Sequence, residues 1–397
     1  MLLYGRFAQP ADTSAMFSHR ASIASALHSY RLDGRMLCYN SFVPKLYNWC
    51  LSLGFTPGKI MPSRAFCSDE SQGFPIILIA KQFGAFPFNH GRVGGIVSVD
   101  RHGPHADHGK DLLLLQASHV GYDPDSGEFG VYRRLQSEHE HLSCSCGKIG
   151  RIIEWYKTEH AYACENIRLL RHEGQLAVLI DYQLFASPRP QGLFLLFENL
   201  VQDAAGEQLP PPLSTRSTGH IFAASSHLVA RLGVDSWPQS GSVAIGSHLA
   251  AEDFYFRHKG GYLDPLQDQL ENNLLAPMPW ILTSKHPLLT AACANTMVEF
   301  DRTFRSLVQS SAMNGRNLVF LAGLNIDISP NPGENFPLTK FVPWAAYLQH
   351  ADGRREILEQ DELIERLGNV PSTNSAQIDL ERAIELMSSK REIEVRL

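Results

Sequence analysis

Short, nearly continuous apolar runs alternate along the chain with amphipathic stretches, and Gly and Pro mark most of the borders. DLLLLQA at 111–117, GGIVSV at 94–99 and NLVFLAGLNIDIS at 317–329 predict strands apolar on both faces. Such strands belong in the sheet of an α/β protein whose two sides are covered by helices. FPIILIA at 74–80 fits either a buried strand or part of a buried helix. Residues 36–56 and 149–170 have helical character, the first stopped by a glycine. Ala15, Phe17, Ala21, Ala24 and Leu27 line one face of a surface helix with Ser14 as its cap. GYDPDSGEFG at 121–130 reads as a turn entering a strand. Residues 176–186 and 192–201 predict strands, 203–219 a long loop, and 356–368 and 378–397 charged amphipathic helices. The expected architecture is an α/β sheet flanked by helices, followed by a C-terminal α/β or α+β region. Its parts are a helical arm at 1–34, a sheet domain at 35–165 and a region of unknown role at 166–397.

Length and charge narrow the classes. The 397 residues suffice for two to three domains at about 150 residues each. The 44% hydrophobic and 19% charged composition is that of a globular chain. A net charge of −6 without a long basic run argues against non-specific nucleic-acid binding. No apolar stretch reaches the roughly 18 residues of a membrane span, and the first residues carry no apolar core of signal-peptide length. Seven dispersed cysteines are not a disulfide framework and fit a reducing compartment. That compartment is expected to be the cytoplasm, or an organellar stroma given the Arg- and Ser-containing first 32 residues.

Metal-ligating side chains gather in three places at the ends of predicted strands: Cys67-Ser68-Asp69-Glu70, Ser118-His119-Val120-Gly121 and Cys144-Ser145-Cys146-Gly147. Two thiolates and one imidazole make a Cys2His set that leaves a fourth zinc position open, the pattern of a catalytic rather than a closed structural site. On spacing alone, dispersed Cys and His are as well explained as core or surface residues. The HxE…PCxxC signature of zinc deaminases is missing, as is the CxxC of redox enzymes.

Several short motifs occur together in order. Cys67-Ser68-Asp69-Glu70 is followed by Phe83-Gly84-Ala85-Phe86-Pro87-Phe88, Gly91, Val93-Gly94-Gly95 and His102-Gly103-Pro104-His105. Next come Ser118-His119-Val120-Gly121-Tyr122-Asp123, Gly127-Glu128-Phe129-Gly130 and Cys146-Gly147. The segment from about 60 to 150 thereby resembles the limiting-CO2-inducible protein B family, a group of β-type carbonic anhydrases and their relatives. The resemblance implies a β-carbonic-anhydrase-like sheet, a homodimer, and Zn2+ held by Cys67, His119 and Cys146. It further implies reversible hydration of CO2 to bicarbonate by zinc-bound hydroxide, with Asp69 as the acid beside the metal. Asp69 can orient the hydroxide or occupy the fourth zinc position and close the site. The arginine that β-type enzymes place two residues after this acid is Ser71 here. Arg64 or Arg92 is left to supply the guanidinium, and Arg92 is taken as the candidate. A non-catalytic zinc-bearing relative that binds CO2 or bicarbonate, or serves as a scaffold, is the alternative.

Other residues carry two readings each. His102, His105 and His108 are either solvated loop residues or proton carriers between the site and buffer, with His102 the catalytic candidate. His139 and His141 read as surface residues. Phe86, Phe88 and Val93 read as core residues or as the lining of a small apolar pocket. Between the two cysteines of 144–146, the Gly that follows favours Cys146.

Overall fold

A computed structural model describes residues 13–98, 110–133, 142–185, 191–206, 208–257, 265–331, 334 and 338–389. The chain forms two compact units, each made of two segments: 30–146 with 296–397, and 1–29 with 147–295. The segment 166–397, one region in the sequence reading, is therefore shared between both units.

The first unit is built on an eight-stranded mixed sheet. Its order runs Leu37–Cys38, Leu338–Gln349, Leu318–Ile328, Asp111–Asp123, Ile60–Phe66, Phe88–Asn89. The four strands 318–328, 111–123, 60–66 and 88–89 are mutually parallel. Strand 338–349 returns antiparallel on 318–328 and carries Arg355–Glu359 on its outer side. The run Leu112–Leu115 is apolar without alternation because both sheet faces are covered. Leu113 and Leu115 pack with Leu46 and Trp49 of helix Tyr39–Ser52, Ile79 of Gly73–Phe83 and Leu363 of Gln360–Gly368. Leu112 and Leu114 face the other way, toward Phe300, Phe304 and Leu307 of helix Pro287–Gln309. This arrangement is the three-layer solution for strands with two apolar faces.

The second unit has a five-stranded antiparallel sheet ordered Ser214–Thr215, Gly219–Ala223, Gln175–Asp181, Ile167–His172, Ser242–Ala244. Its connections are antiparallel throughout, so of the two predicted classes it is α+β. Helix Thr13–Ser29, predicted as an arm, is tied into this unit by Arg20. That guanidinium donates to the carbonyls of Ala251 and Phe254 and lies 5.0 Å from the Trp280 ring centroid.

Several predicted elements come out with other bounds or another type, and one open choice is settled. GGIVSV at 94–99 is no strand in its described part: Gly94 and Gly95 both take φ 77°, and Val93–Gly95 closes a 3-10 turn. Of the two readings of FPIILIA the helical one holds, in the helix Gly73–Phe83 that ends on left-handed Gly84. The helix expected over 149–170 stops at Asn166, where the strand Ile167–His172 begins. The helix expected over 356–368 starts only at Gln360, because Arg355–Glu359 pairs with the 338–349 strand. Of the 378–397 helix, Leu380–Ser388 is helical and 390–397 lies outside the described residues.

Candidate metal centre

The parallel strands of the first unit deliver their carboxyl ends to one region, the usual place for a site in an open α/β sheet. Cys67 follows the last residue of strand 60–66, and His119 sits in the distal half of strand 111–123. Cys146 ends the segment after the Leu142–Cys144 strand, at φ 52° and just before helix Gly147–Asn166. The potential ligand atoms of these three buried residues all lie within 4.8 Å of one another. Among the described residues this is the one such cluster of metal-ligating groups. Cys144, two residues earlier, is exposed and pairs with Val131.

The orientation of His119 is set from behind. Its Nδ1 lies 2.8 Å from Asp327 Oδ2, both side chains being fully buried. A carboxylate only accepts there, so Nδ1 keeps its proton and Nε2 is the nitrogen that can turn a lone pair to a metal. That Nε2 is buried and has no hydrogen-bond partner, as expected of an atom reserved for a metal. Asp327 arrives by register: strand 318–328 pairs Asn325 with His119 and Asp327 with Gly121, so the pleat sends 325 and 327 to the same side.

Asp327 is the centre of a buried network. Ser71 Oγ donates to Oδ2 at 2.9 Å, Thr339 Oγ1 to Oδ1 at 3.1 Å, and Gln72 Nε2 reaches both oxygens at 3.1 and 2.9 Å. Behind it, Asn325 Nδ2 donates to Gln72 Oε1 at 2.6 Å and Tyr39 Oη donates to Asn325 Oδ1 at 2.7 Å. Burial pushes the Tyr39 hydroxyl well above its ordinary pKa, so it stays a donor. Sequence reasoning missed all of these except Ser71, which it noted only as a missing arginine.

The two thiols divide their protons unequally. A hydrogen bond from Cys146 pulls Cys67 well down, against the cost of burial, and His119 and the Gly94 N–H assist. Cys146 is pushed up by that same bond and by burial. Burial opposes a charge on His119, but Cys146 and Asp327 outweigh it and raise its pKa. The pocket thus stores protons that a divalent ion would displace. Two thiolates and a neutral imidazole suit zinc in type and number.

The remaining predicted residues fall as follows. Asp69 is half-buried outside the cluster, and its Oδ1 accepts from the Ser71 N–H at 3.3 Å, capping the turn Glu70–Gln72. Arg92 Nε donates to Ser98 Oγ at 2.7 Å. Arg64 is half-buried, its Nε is enclosed without a partner, and burial lowers its pKa. Phe86 and Phe88 are 68% and 58% exposed, so they are not core residues. His102, His105, His108, His139 and His141 lie outside the described residues.

The loop over the site tolerates no side chain at two places. A Cβ on Gly91 would meet Phe66 O at 2.2 Å, and one on Gly95 would meet Ala117 O at 2.2 Å. Gly91→Ala is therefore expected to lower the unfolding free energy by about 1–3 kcal/mol, read as a lower midpoint in urea. An unchanged midpoint would mean that the loop yields freely.

No family model matches the chain, and no curated protein does so either. The fold is that of the limiting CO2-inducible proteins. The structure superposes on PtLCIB4, a homolog of the limiting CO2-inducible protein LCIB, with a TM-score of 0.50 and 12% identity, covering 85% of this chain and 99% of that one. LCIB itself gives a TM-score of 0.44 and 12% identity over 83% of this chain and 96% of the other. No helix among the described residues is long and apolar enough to cross a membrane.

Proposed function

We propose that this chain is a zinc-dependent carbonic anhydrase, interconverting CO2 and bicarbonate as a homodimer. The observation that carries the reading is the buried Cys67–His119–Cys146 cluster, with His119 Nε2 unpartnered and Nδ1 anchored on Asp327. Zinc held there would supply a Lewis acid that makes water acidic enough to attack CO2 near neutral pH. The chain's own residues prepare the place. Asp327 fixes the tautomer that presents Nε2, and the Gly94 N–H donates to Cys67 Sγ at 3.2 Å. Asp69, steadied through Oδ1 by the Ser71 amide, is the group assigned to take up and orient the reacting water's proton. Arg92 and His102 keep supporting roles in this reading, the first as a guanidinium near the loop and the second as a proton carrier.

Measured zinc content together with 18O exchange between CO2 and water tests the proposal. One zinc per chain with exchange above background is expected, and a zinc-loaded protein without it would remove the enzymatic reading. Asp69→Ala should keep its zinc and lose about 10²-fold or more in CO2 hydration. Wild-type turnover in that variant would take Asp69 out of the mechanism. Sedimentation of the purified protein checks the dimer.

One observation favours the second reading, a zinc-bearing relative that binds CO2 or bicarbonate without turnover. Ser71 occupies the position of the arginine partner, and its hydroxyl is committed to Asp327. The acid at 69 is then not paired in the manner of β-type enzymes. Stoichiometric zinc with no exchange at any pH would select this reading.

A further inference from the structure

We propose that Glu299 and Arg302, one turn apart on helix 287–309, are positioning residues for the Cys67 sulfur. The proposal rests on reading the cluster as a metal site and adds to it a control from outside the ligand set. Glu299 Oε2 accepts from the Val97 N–H at 2.8 Å, and Arg302 donates to the Val97 carbonyl at 2.5 Å. Both hydrogen-bonding groups of one loop residue are thus held by one ion pair. The pair itself is bidentate: Arg302 Nε reaches Oε1 at 3.0 Å, and its terminal nitrogen reaches Oε2 at 2.6 Å. Glu299 is fully buried, and only 24% of the Arg302 side chain is exposed.

Burying an ion pair is expensive, and one spent on a neutral loop residue calls for a purpose. The loop supplies it. Three residues before Val97, the Gly94 N–H donates to Cys67 Sγ. Between them, Gln116 Nε2 donates to the Gly95 carbonyl at 3.2 Å, and Gly91 and Gly95 lie directly on the backbones of Phe66 and Ala117. The loop is therefore pressed onto the strands that present Cys67 and His119, and Glu299 with Arg302 locks its exit. An N–H held on a thiolate draws electron density from sulfur and keeps it deprotonated and in place for the metal, one of the ways a protein tunes a bound metal. Glu299 and Arg302 would thus set how strongly Cys67 donates to the ion without touching it.

The test uses the full chain loaded with cobalt(II) in place of zinc, because thiolate-to-cobalt charge transfer reports on sulfur directly. Glu299→Gln is expected to move that absorption to lower energy and to weaken zinc binding about 10-fold or more in competition with a chromophoric chelator. Amide exchange at Gly94 should accelerate, and Arg302→Lys, which keeps the charge, should show each effect more weakly than Arg302→Gln. A folded Glu299→Gln protein with the wild-type cobalt spectrum and wild-type Gly94 exchange overturns the proposal. If Glu299→Gln does not fold, Arg302→Gln is read by the same criteria, since it leaves the buried carboxylate on Val97. If the wild-type chain takes up neither metal, the metal-site reading fails by itself. Gly94 exchange in the metal-free variants then still decides whether the pair positions the loop.

Discussion

Cys67→Ala, His119→Ala and Cys146→Ala are each expected to abolish stoichiometric zinc binding, whereas Cys144→Ala should retain it. Three protein donors are the minimum of a catalytic zinc site, and loss of one leaves two ligands that cannot outcompete a chelator. Sequence motifs alone put both cysteines of 144–146 beside the other ligands. The backbone separates them: Cys144 is an exposed strand residue paired with Val131, while Cys146 is 3% exposed within the cluster. Its φ of 52° puts it in the left-handed region that a β-carbon disfavours, a strain accepted in functional sites. Retention of one zinc per chain by Cys146→Ala, measured by atomic emission after dialysis, would place the metal elsewhere. The pH dependence follows from the protons stored in the pocket. Because Cys146 and His119 have raised pKa values, zinc must displace their protons, and apparent affinity should fall as pH is lowered. Affinity independent of pH would mean that these ligands are already deprotonated.

The Cys67–His119–Cys146 group was legible in the sequence because its members sit in short, ordered motifs at the ends of strands that read as buried. Their support was not. Asn325 and Asp327 stand two apart in an otherwise apolar strand, which places two polar side chains on one covered face of a sheet. That spacing was the available signal. It carried little weight because 317–329 lies far along the chain, and nothing local shows that it pairs with the 111–123 strand. Register, not motif, brings Asp327 to His119, and parallel register over some two hundred residues is a property of the whole fold. The same holds for Glu299, which lies on a helix the apolar pattern did not single out. The division at residue 165 followed the end of the motif set. The sheet instead completes itself with strands from 318 onward, and the segment between belongs to another unit. GGIVSV misled for a local reason: its apolar letters suit a strand, but two successive glycines at positive φ make a turn.

Asp327→Asn is expected to weaken zinc binding about 10- to 100-fold although residue 327 touches no metal. Aspartate at this position only accepts, and four donors converge on it from His119, Ser71, Gln72 and Thr339. An asparagine keeps one acceptor oxygen and turns the other atom into a donor. The hydroxyls of Ser71 and Thr339 can rotate to suit, but Gln72 cannot exchange its ends. Its Oε1 accepts from Asn325, whose own oxygen accepts from the Tyr39 hydroxyl, so each amide is fixed by the one behind it. If the new amide nitrogen takes the Oδ1 place, it meets the Gln72 Nε2 and two donors confront each other in a buried place, at about 1–3 kcal/mol. If it takes the Oδ2 place, it meets Gln72 again and also His119, whose Nδ1 must give up its proton to Nε2, which removes the lone pair that the cluster needs. Either result weakens the site, the first through stability and the second through the ligand itself. Metal-free unfolding in urea reads the frustrated network as a lowered midpoint, and the 15N shifts of the His119 ring read the tautomer change. Tyr39→Phe, which removes only the far end of the chain, should affect zinc much less. An Asp327→Asn protein with wild-type zinc affinity would show that His119 keeps its orientation without the carboxylate.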